Sequence, residues 1–555
     1  MQRMVCALVA SLLAGPIDAQ VVGGTWRIHA TFTGEVPGDQ LGTSLAGVGD
    51  WNLDGCDDFI VGARYAGQWG RAYVYSGKDH ALLQTMDGPS SGRNFGFSVS
   101  GAGDVDGDGR GDAIVGAPDG VSDVSRAYVI SSASGQVVLQ LDRISSFDAF
   151  GWSVDGAGDL DGDSRADLIV GAHDADVGGI HRAGAAYAFS GATGLELFRI
   201  EGASPDEFVG RSVAGADDFD GDGVPEVIVG ALYANSGNTG SVFVLSGATG
   251  ALLRRHDGTY WWEGFGNSVG ATGDLDGDGV GDLIIGAPYS RASGLAGSGR
   301  ALVFSGAAGN LLHEFQGIRA ADQLGWSVSG AGDTDRDGIE DLVIGAANAS
   351  PGVNRAGAVF LYSGATGQTI NVLEGISPHA SLGTAVAGAG DANGDGYADF
   401  LASEPYLYAN GGYYAGRVYL GGLQPHLRTS QAEISASGGG SVGFLVEFGV
   451  EFAAGHYRIL VSGSGEGPNS LGGILVPLTA DAWFRASLLG REPAGADHFS
   501  GFLNAEGRSV ADLAVAAGGL PAGRIGSTVH FAAVAADATG SRRRSSVAVA
   551  LEIVP

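Results

Sequence analysis

The stretch FGNSVGATGDLDGDGVGDLIIGAP, Phe265 to Pro288, decides how the rest of the chain is read. At its centre Asp274, Asp276, Asp278 and Asp282 hold positions 1, 3, 5 and 9 of a nine-residue loop, with Gly279 at position 6. Alternate carboxylates on a tight turn describe an oxygen cage for a hard cation. Ca²⁺ takes roughly six to eight oxygens at about 2.3–2.6 Å, and glycine lets the backbone bend sharply enough to present them. The apolar run DLIIGA that leaves the loop is β-like, so the cage also turns a hairpin. The same frame returns as FGFSVSGAGDVDGDGRGDAIVGAP from Phe95 and as FGWSVDGAGDLDGDSRADLIVGAH from Phe150.

Seven such units begin at Leu41, Phe95, Phe150, Val209, Phe265, Leu324 and Leu382, at spacings of 54, 55, 59, 56, 59 and 58 residues. Each reads as a strand, the acidic loop, an apolar strand ending Gly-Ala, a variable loop, a strand of the type AVFLYSGATG, and a fourth such as LLHEFQG. Four short strands per unit predict a propeller blade. The fold class is therefore all-β, a seven-bladed β-propeller over residues 20–422. From Leu423 the repeat stops, and alternating segments such as GFLVEFGV and VHFAAVAA predict a smaller C-terminal β-domain, a sandwich, at 423–555. The seventh unit ends at RVYLGG (Arg417 to Gly422) without a fourth strand, while TWRIHATFT (Thr25 to Thr33) precedes the first unit without a blade. Pairing these two would close the ring and remove its open edges.

The other loops repeat the donor pattern. The first has Asp50, Asn52, Asp54 and Asp58; the second Asp104, Asp106, Asp108 and Asp112. The third has Asp159, Asp161, Asp163 and Asp167; the fourth Asp218, Asp220, Asp222 and Glu226. The sixth has Asp333, Asp335, Asp337 and Asp341; the seventh Asp391, Asn393, Asp395 and Asp399. Ser164 replaces the position-6 glycine of the third loop and Glu226 lengthens an arm of the fourth, so these two are expected to be the weaker sites. The seven loops hold 26 of the 62 acidic residues, and without them the net charge would fall from −32 to −6. The charge is a binding-site charge for up to seven Ca²⁺.

An EF-hand would need a bidentate Glu at position 12 and flanking helices, whereas position 12 of the fifth loop is Ile285 and its exit is β-like. The FG…GAP frame around these acidic loops resembles the FG-GAP repeats of the integrin α-subunit head, a seven-bladed β-propeller. The resemblance covers about three quarters of the chain. It implies that each acidic loop joins the first two strands of its blade and holds Ca²⁺. Two units depart from the frame: the first has VGAR where others have IVGAP, and the seventh has LASEP at Leu401 to Pro405. The second and third units lie 55 residues apart, which leaves no room for an inserted adhesion domain.

Met1 to Gln20, MQRMVCALVASLLAGPIDAQ, has a positive start and an apolar centre, and reads as a secretory signal peptide over residues 1–19. No later run of about 18 apolar residues follows, so no membrane span is expected. Once the signal is removed Cys56 alone remains, so cystines cannot pin the fold. The acidic excess argues against nucleic acid and anionic membranes as partners.

Up-and-down connectivity places the acidic loops and the 3–4 turns on one face, and the variable 2–3 and 4–1 loops on the other. Aromatics in those variable loops, Trp69, Tyr260, Trp261, Trp262, Tyr406, Tyr408, Tyr413 and Tyr414, are candidate ligand contacts. Arg110-Gly111-Asp112 spells an adhesion tripeptide, but Asp112 is already required as a cage residue. No zinc-spaced His pair, nucleophile elbow or phosphate loop is present, so no catalytic residue is assigned. The expected function is a non-catalytic, calcium-binding adhesion or ligand-binding module outside the cell, with an extracellular protein or glycan as partner. The alternatives are a polysaccharide-active enzyme on a propeller scaffold and a structural surface-coat protein.

Overall fold

The computed structural model describes residues 24–425, apart from 90–92, 119–123, 145–147, 236 and 409–413, and strand segments between 427 and 554. The expected signal peptide and Tyr413 lie outside the described residues. The chain divides into two compact units, Ile28–Gly422 and a second that takes in Leu423–Pro555. Among the described residues no helix is long and apolar enough to cross a membrane.

The first unit consists of seven four-stranded antiparallel sheets. The fifth blade shows the pattern: Ser268–Thr272, Asp282–Ala287, Arg300–Phe304 and Leu311–Gln316 pair in chain order. The first strand of each blade lies against that of the next, and the seventh's lies against the first's. The seventh sheet runs in the order Gly24–Thr33, Arg417–Pro425, Asp399–Ser403, Val386–Gly390. The N-terminal strand thus completes the last blade, and the ring closes as the sequence predicts.

Second strands such as Asp282–Ala287 are buried along their whole length, because a propeller covers both of their faces. Alternation then sorts their side chains between two neighbours. Leu283, Ile285 and Ala287 pack with the fourth blade, whereas Ile284 packs with the sixth. Each fully buried Leu or Ile contributes about 1.5–3 kcal/mol, and the core is distributed between blades rather than gathered at one centre.

The two glycines that frame each unit meet across a blade boundary. A Cβ on Gly171, at the end of one second strand, would stand 2.1 Å from the carbonyl oxygen of Gly210, which opens the next blade. A Cβ on Gly286 would meet the carbonyl of Gly325 at the same 2.1 Å. Any side chain at the Gly-Ala position would hold adjacent blades apart. Blade 7 has Ser403 there, at the closing seam, and the accommodation falls to Gly42 of blade 1, whose Cβ would lie 2.7 Å from that of Ser403.

The second unit is all-β among its described residues. One sheet orders Leu427–Thr429, Gly440–Glu447, Arg508–Val515 and Ala496–Asp497; a larger one is built on Thr528–Ala536 paired with His456–Ser462 and Val549–Val554.

Candidate functional site

Each acidic loop joins the first and second strands of its blade, and its local geometry follows from the sequence. In the fifth loop the position-1 carboxylate folds the turn around itself: Asp274 Oδ1 accepts from the N–H groups of Gly277 (2.7 Å) and Asp278 (3.1 Å), and Oδ2 from Gly279 (2.8 Å). Gly279 sits at φ 90°, the left-handed region where a side chain is costly. Ser164 takes the same conformation at φ 69°, and its N–H still donates to Asp159 at 2.8 Å. These N–H groups hold the Asp274 carboxyl below its usual range.

The position-9 acid has a second task that the linear pattern does not show. Asp282 is fully buried and accepts from the N–H of Leu275 in its own loop (2.9 Å) and of Gly306 in the 3–4 turn (3.0 Å). Asp112, Asp167 and Asp341 make the same pair of bonds, to Val105 and Ser132, Leu160 and Gly191, and Thr334 and Gly364. This carboxylate ties the acidic loop to the 3–4 turn and puts both on one face. It also buries Asp112, so the Arg-Gly-Asp tripeptide is not displayed. Burial pushes Asp58, Asp112, Asp167 and Asp282 up to about 6, and Glu226 and Asp341 up to about 7.

Five loops bring carboxylate oxygens within 4.8 Å of one another: Asp104, Asp106 and Asp108; Asp159, Asp161 and Asp167; Asp218, Asp220, Asp222 and Glu226; Asp274, Asp276 and Asp282; and Asp333, Asp335 and Asp341. They belong to blades 2 to 6. The third and fourth loops are among them, and the fourth gathers all four of its acids, because the longer Glu226 arm still reaches the cluster.

Blades 1 and 7 differ. In blade 7 the Asn393 amide donates to both oxygens of Asp399 (3.2 and 2.9 Å), and His29 Nε2 lies 3.3 Å from Asp399 Oδ1. In blade 1 the Asn52 amide donates to Asp54 (3.1 Å), and Lys78 Nζ lies 3.8 Å from Asp54 Oδ1. The chemistry of the donor set suits a hard divalent cation, being all oxygen and predominantly anionic. Two buried acceptors in the loops point the same way: Glu226 Oε1 and Asn393 Oδ1 have no hydrogen-bond partner among the described residues. Leaving such an atom unpaired is costly, and a cation would satisfy it.

On the opposite face the 2–3 and 4–1 loops are stitched together; the N–H of Trp262 donates to Asn238 O (3.2 Å) and that of His379 to Asn354 O (3.0 Å). Tyr260, Trp261 and Trp262 are exposed, Trp261 most of all at 75 %. Tyr260 lies under the Arg300 guanidinium at 5.0 Å, and Trp262 stands edge-on to Tyr233 at 5.1 Å. Tyr406, Tyr408 and Tyr414 form one cluster, with Tyr414 5.7 and 5.4 Å from the other two. Trp69 is half-buried, and its carbonyl accepts from the Phe95 N–H at 3.0 Å. Among the described residues, the candidate aromatics form two separate groups, with Trp69 apart from both, on three parts of the rim.

Comparison with known proteins agrees with this architecture. The FG-GAP repeat family matches residues 150–189, 209–245, 265–304, 324–362 and 382–420, which correspond to blades 3 to 7. Integrin alpha-5 of Xenopus laevis is 33% identical over 212 residues, 35% of this chain and 20% of that protein. Integrin alpha-V of Gallus gallus is 35% identical over 212 residues, with the same shares. Integrin alpha-IIb of Homo sapiens is 32% identical over 178 residues, 28% of this chain and 16% of that protein. The chain thus spans about a fifth of the length of the curated relatives it matches.

Proposed function

We infer that this chain, an FG-GAP repeat protein whose seven-bladed propeller is similar to those of integrin α-subunits, is a calcium-binding, non-catalytic adhesion or ligand-binding module of the cell exterior. The observation that carries the reading is the convergence of carboxylates in blades 2 to 6 on one face of a ring in which Cys56, the one cysteine among the described residues, is buried and free. Cations fill the stabilising role that cystines fill in other exported proteins. Asp104, Asp159, Asp218, Asp274 and Asp333 head the five sites, with blades 1 and 7 as weaker sixth and seventh positions. In each site the carboxylates hold the cation and the loop N–H groups fix their orientation.

The variable-loop face is the ligand-binding face, and an extracellular protein or glycan is the partner class. Loops on a rigid scaffold tolerate change in sequence without loss of the core. Export by the N-terminal segment 1–19 and a separate C-terminal sandwich at 423–555 complete the proposal.

Calorimetric titration of metal-stripped protein with Ca²⁺ tests it, with at least five ions per chain expected. Failure to take up calcium would overturn the proposal. Incubation with a panel of polysaccharides tests the non-catalytic part, for which no turnover is expected.

A further inference from the structure

We propose that the groove between blades 6 and 7 on the variable-loop face binds an acidic saccharide, a glycan carrying a uronate carboxylate. This rests on the reading of that face as the ligand-binding one and names the ligand class for one site on it. The groove has a volume of about 610 Å³ and is lined by Arg355, His379, Asn348, Tyr406, Tyr408 and Tyr414, among others. Pockets for small ligands span about 300–1,000 Å³, so a short oligosaccharide segment fits.

Charge selects the acid. The chain carries a net charge of −32, yet among the described lining residues there is neither Asp nor Glu, while there are an arginine and a histidine. Three arginines elsewhere on this unit are held by acids, Arg300 by Glu263, Arg417 by Glu404 and Arg126 by Asp142, and others such as Arg64 and Arg254 by neutral oxygens, of the Gln40 amide and the Gly306 carbonyl. Arg355 is exposed and has no such ion pair among the described residues. A guanidinium free of a carboxylate, at the wall of a groove without acids, is a receptor for one, and its fork matches a carboxylate in two parallel hydrogen bonds.

The aromatic wall selects the sugar. Tyr414 stands nearly perpendicular to Tyr406 (83°) and steeply inclined to Tyr408 (69°), and both Tyr408 and Tyr414 are exposed. Tyrosine combines an apolar ring face with a polar tip, which suits a pyranose with its C–H faces and peripheral hydroxyls. The wall that carries Arg355 and His379 is held in place beforehand, because the N–H groups of His379 and Ser381 donate to Asn354 O (3.0 Å) and Arg355 O (3.3 Å). Little ordering of that wall is then left for binding to impose.

The test is calorimetric titration of the full chain at constant Ca²⁺ with trigalacturonate and, in parallel, with the corresponding neutral trisaccharide. Trigalacturonate is expected to bind at least tenfold more tightly than the neutral sugar. Arg355→Gln and Tyr408→Ala should each weaken it tenfold or more at unchanged melting temperature, and Arg355→Lys should recover part of the loss. Uronates also complex calcium, so a sugar bound at the acidic loops would be held equally by wild type and Arg355→Gln; that result overturns the proposal. Absence of binding to trigalacturonate overturns it as well, and leaves the ligand-binding reading of the face to stand or fall on protein partners. Hydrolysis or elimination of the trisaccharide would instead overturn the non-catalytic reading itself.

Discussion

The acidic loops of blades 2 to 6 and those of blades 1 and 7 share one backbone plan but handle charge differently. In the first group three acids, and in blade 4 all four, crowd together; a buried oxygen without a protein partner occurs both in blade 4, at Glu226, and in blade 7, at Asn393. In blades 1 and 7 position 3 is Asn52 or Asn393, and the structure supplies its own cations and donors: Lys78 beside Asp54, His29 and the Asn393 amide beside Asp399. Those two blades meet at the closing seam, where the N-terminal strand brings His29 in. If the proposed cations bind, one loop design is neutralised from outside by an ion in five blades and partly from inside by neighbouring side chains in the other two. On the proposed calcium-binding reading, the blades at the joint of the ring would depend less on metal than the other five.

The largest expected consequence is metal dependence. At about 1 mM Ca²⁺ and a Kd of about 10⁻⁴ M, linkage contributes about 1.4 kcal/mol per site, roughly 7 for five sites. Excess chelator should therefore lower the melting temperature by about 10 °C, as read by differential scanning calorimetry. An unchanged melting curve would remove the distinction between the two groups of blades.

The pH response of the stripped protein should come next. Burial pushes the position-9 acids of blades 1 to 6 up to about 6 or 7 in the folded chain, against about 4 when unfolded. The folded state thus binds more protons between these values, and its stability falls as pH rises from about 4 to 7. Calcium competes with those protons, so the loaded protein should show the opposite slope. Thermal melts at several pH values, with calcium and with chelator, would reveal parallel slopes if the acids do not face a cation.

Substitution separates the groups directly. Asp282→Ala leaves two buried N–H groups unpaired, at about 1–3 kcal/mol each, and in calcium the lost site adds to that cost. Asp399→Ala should cost a similar amount with or without calcium. Denaturant titrations of both variants under the two conditions check this, and equal calcium dependence would erase the contrast. The smallest effect is Ser164→Gly, which relieves a left-handed serine and should stabilise by about 1 kcal/mol, measurable as a shift in the denaturation midpoint.

Much of this was legible in the chain itself. The spacing of Asp274, Asp276, Asp278 and Asp282 marks the loop, and seven repeats count the blades. The orphan strands at Thr25–Thr33 and Arg417–Gly422 announce the closure that the seventh sheet displays. Ser164 and Glu226 depart from the pattern in residue type, and the expectation that their loops bind metal more weakly is one for calcium titration to test. In the fold, what position 6 must provide is an N–H in the left-handed region, which Ser164 supplies, and Glu226 reaches its cluster.

Sequence alone determined the repeat, the acidic loops and the number of blades, because these depend on local spacing and strand alternation. Tertiary structure alone decided which glycine meets which carbonyl, which acid reaches the 3–4 turn, and which residues line the groove beside Arg355. Those relations join residues from different strands and, for the glycines and the groove, different blades. They follow from how the blades pack around the ring, which local sequence spacing does not encode.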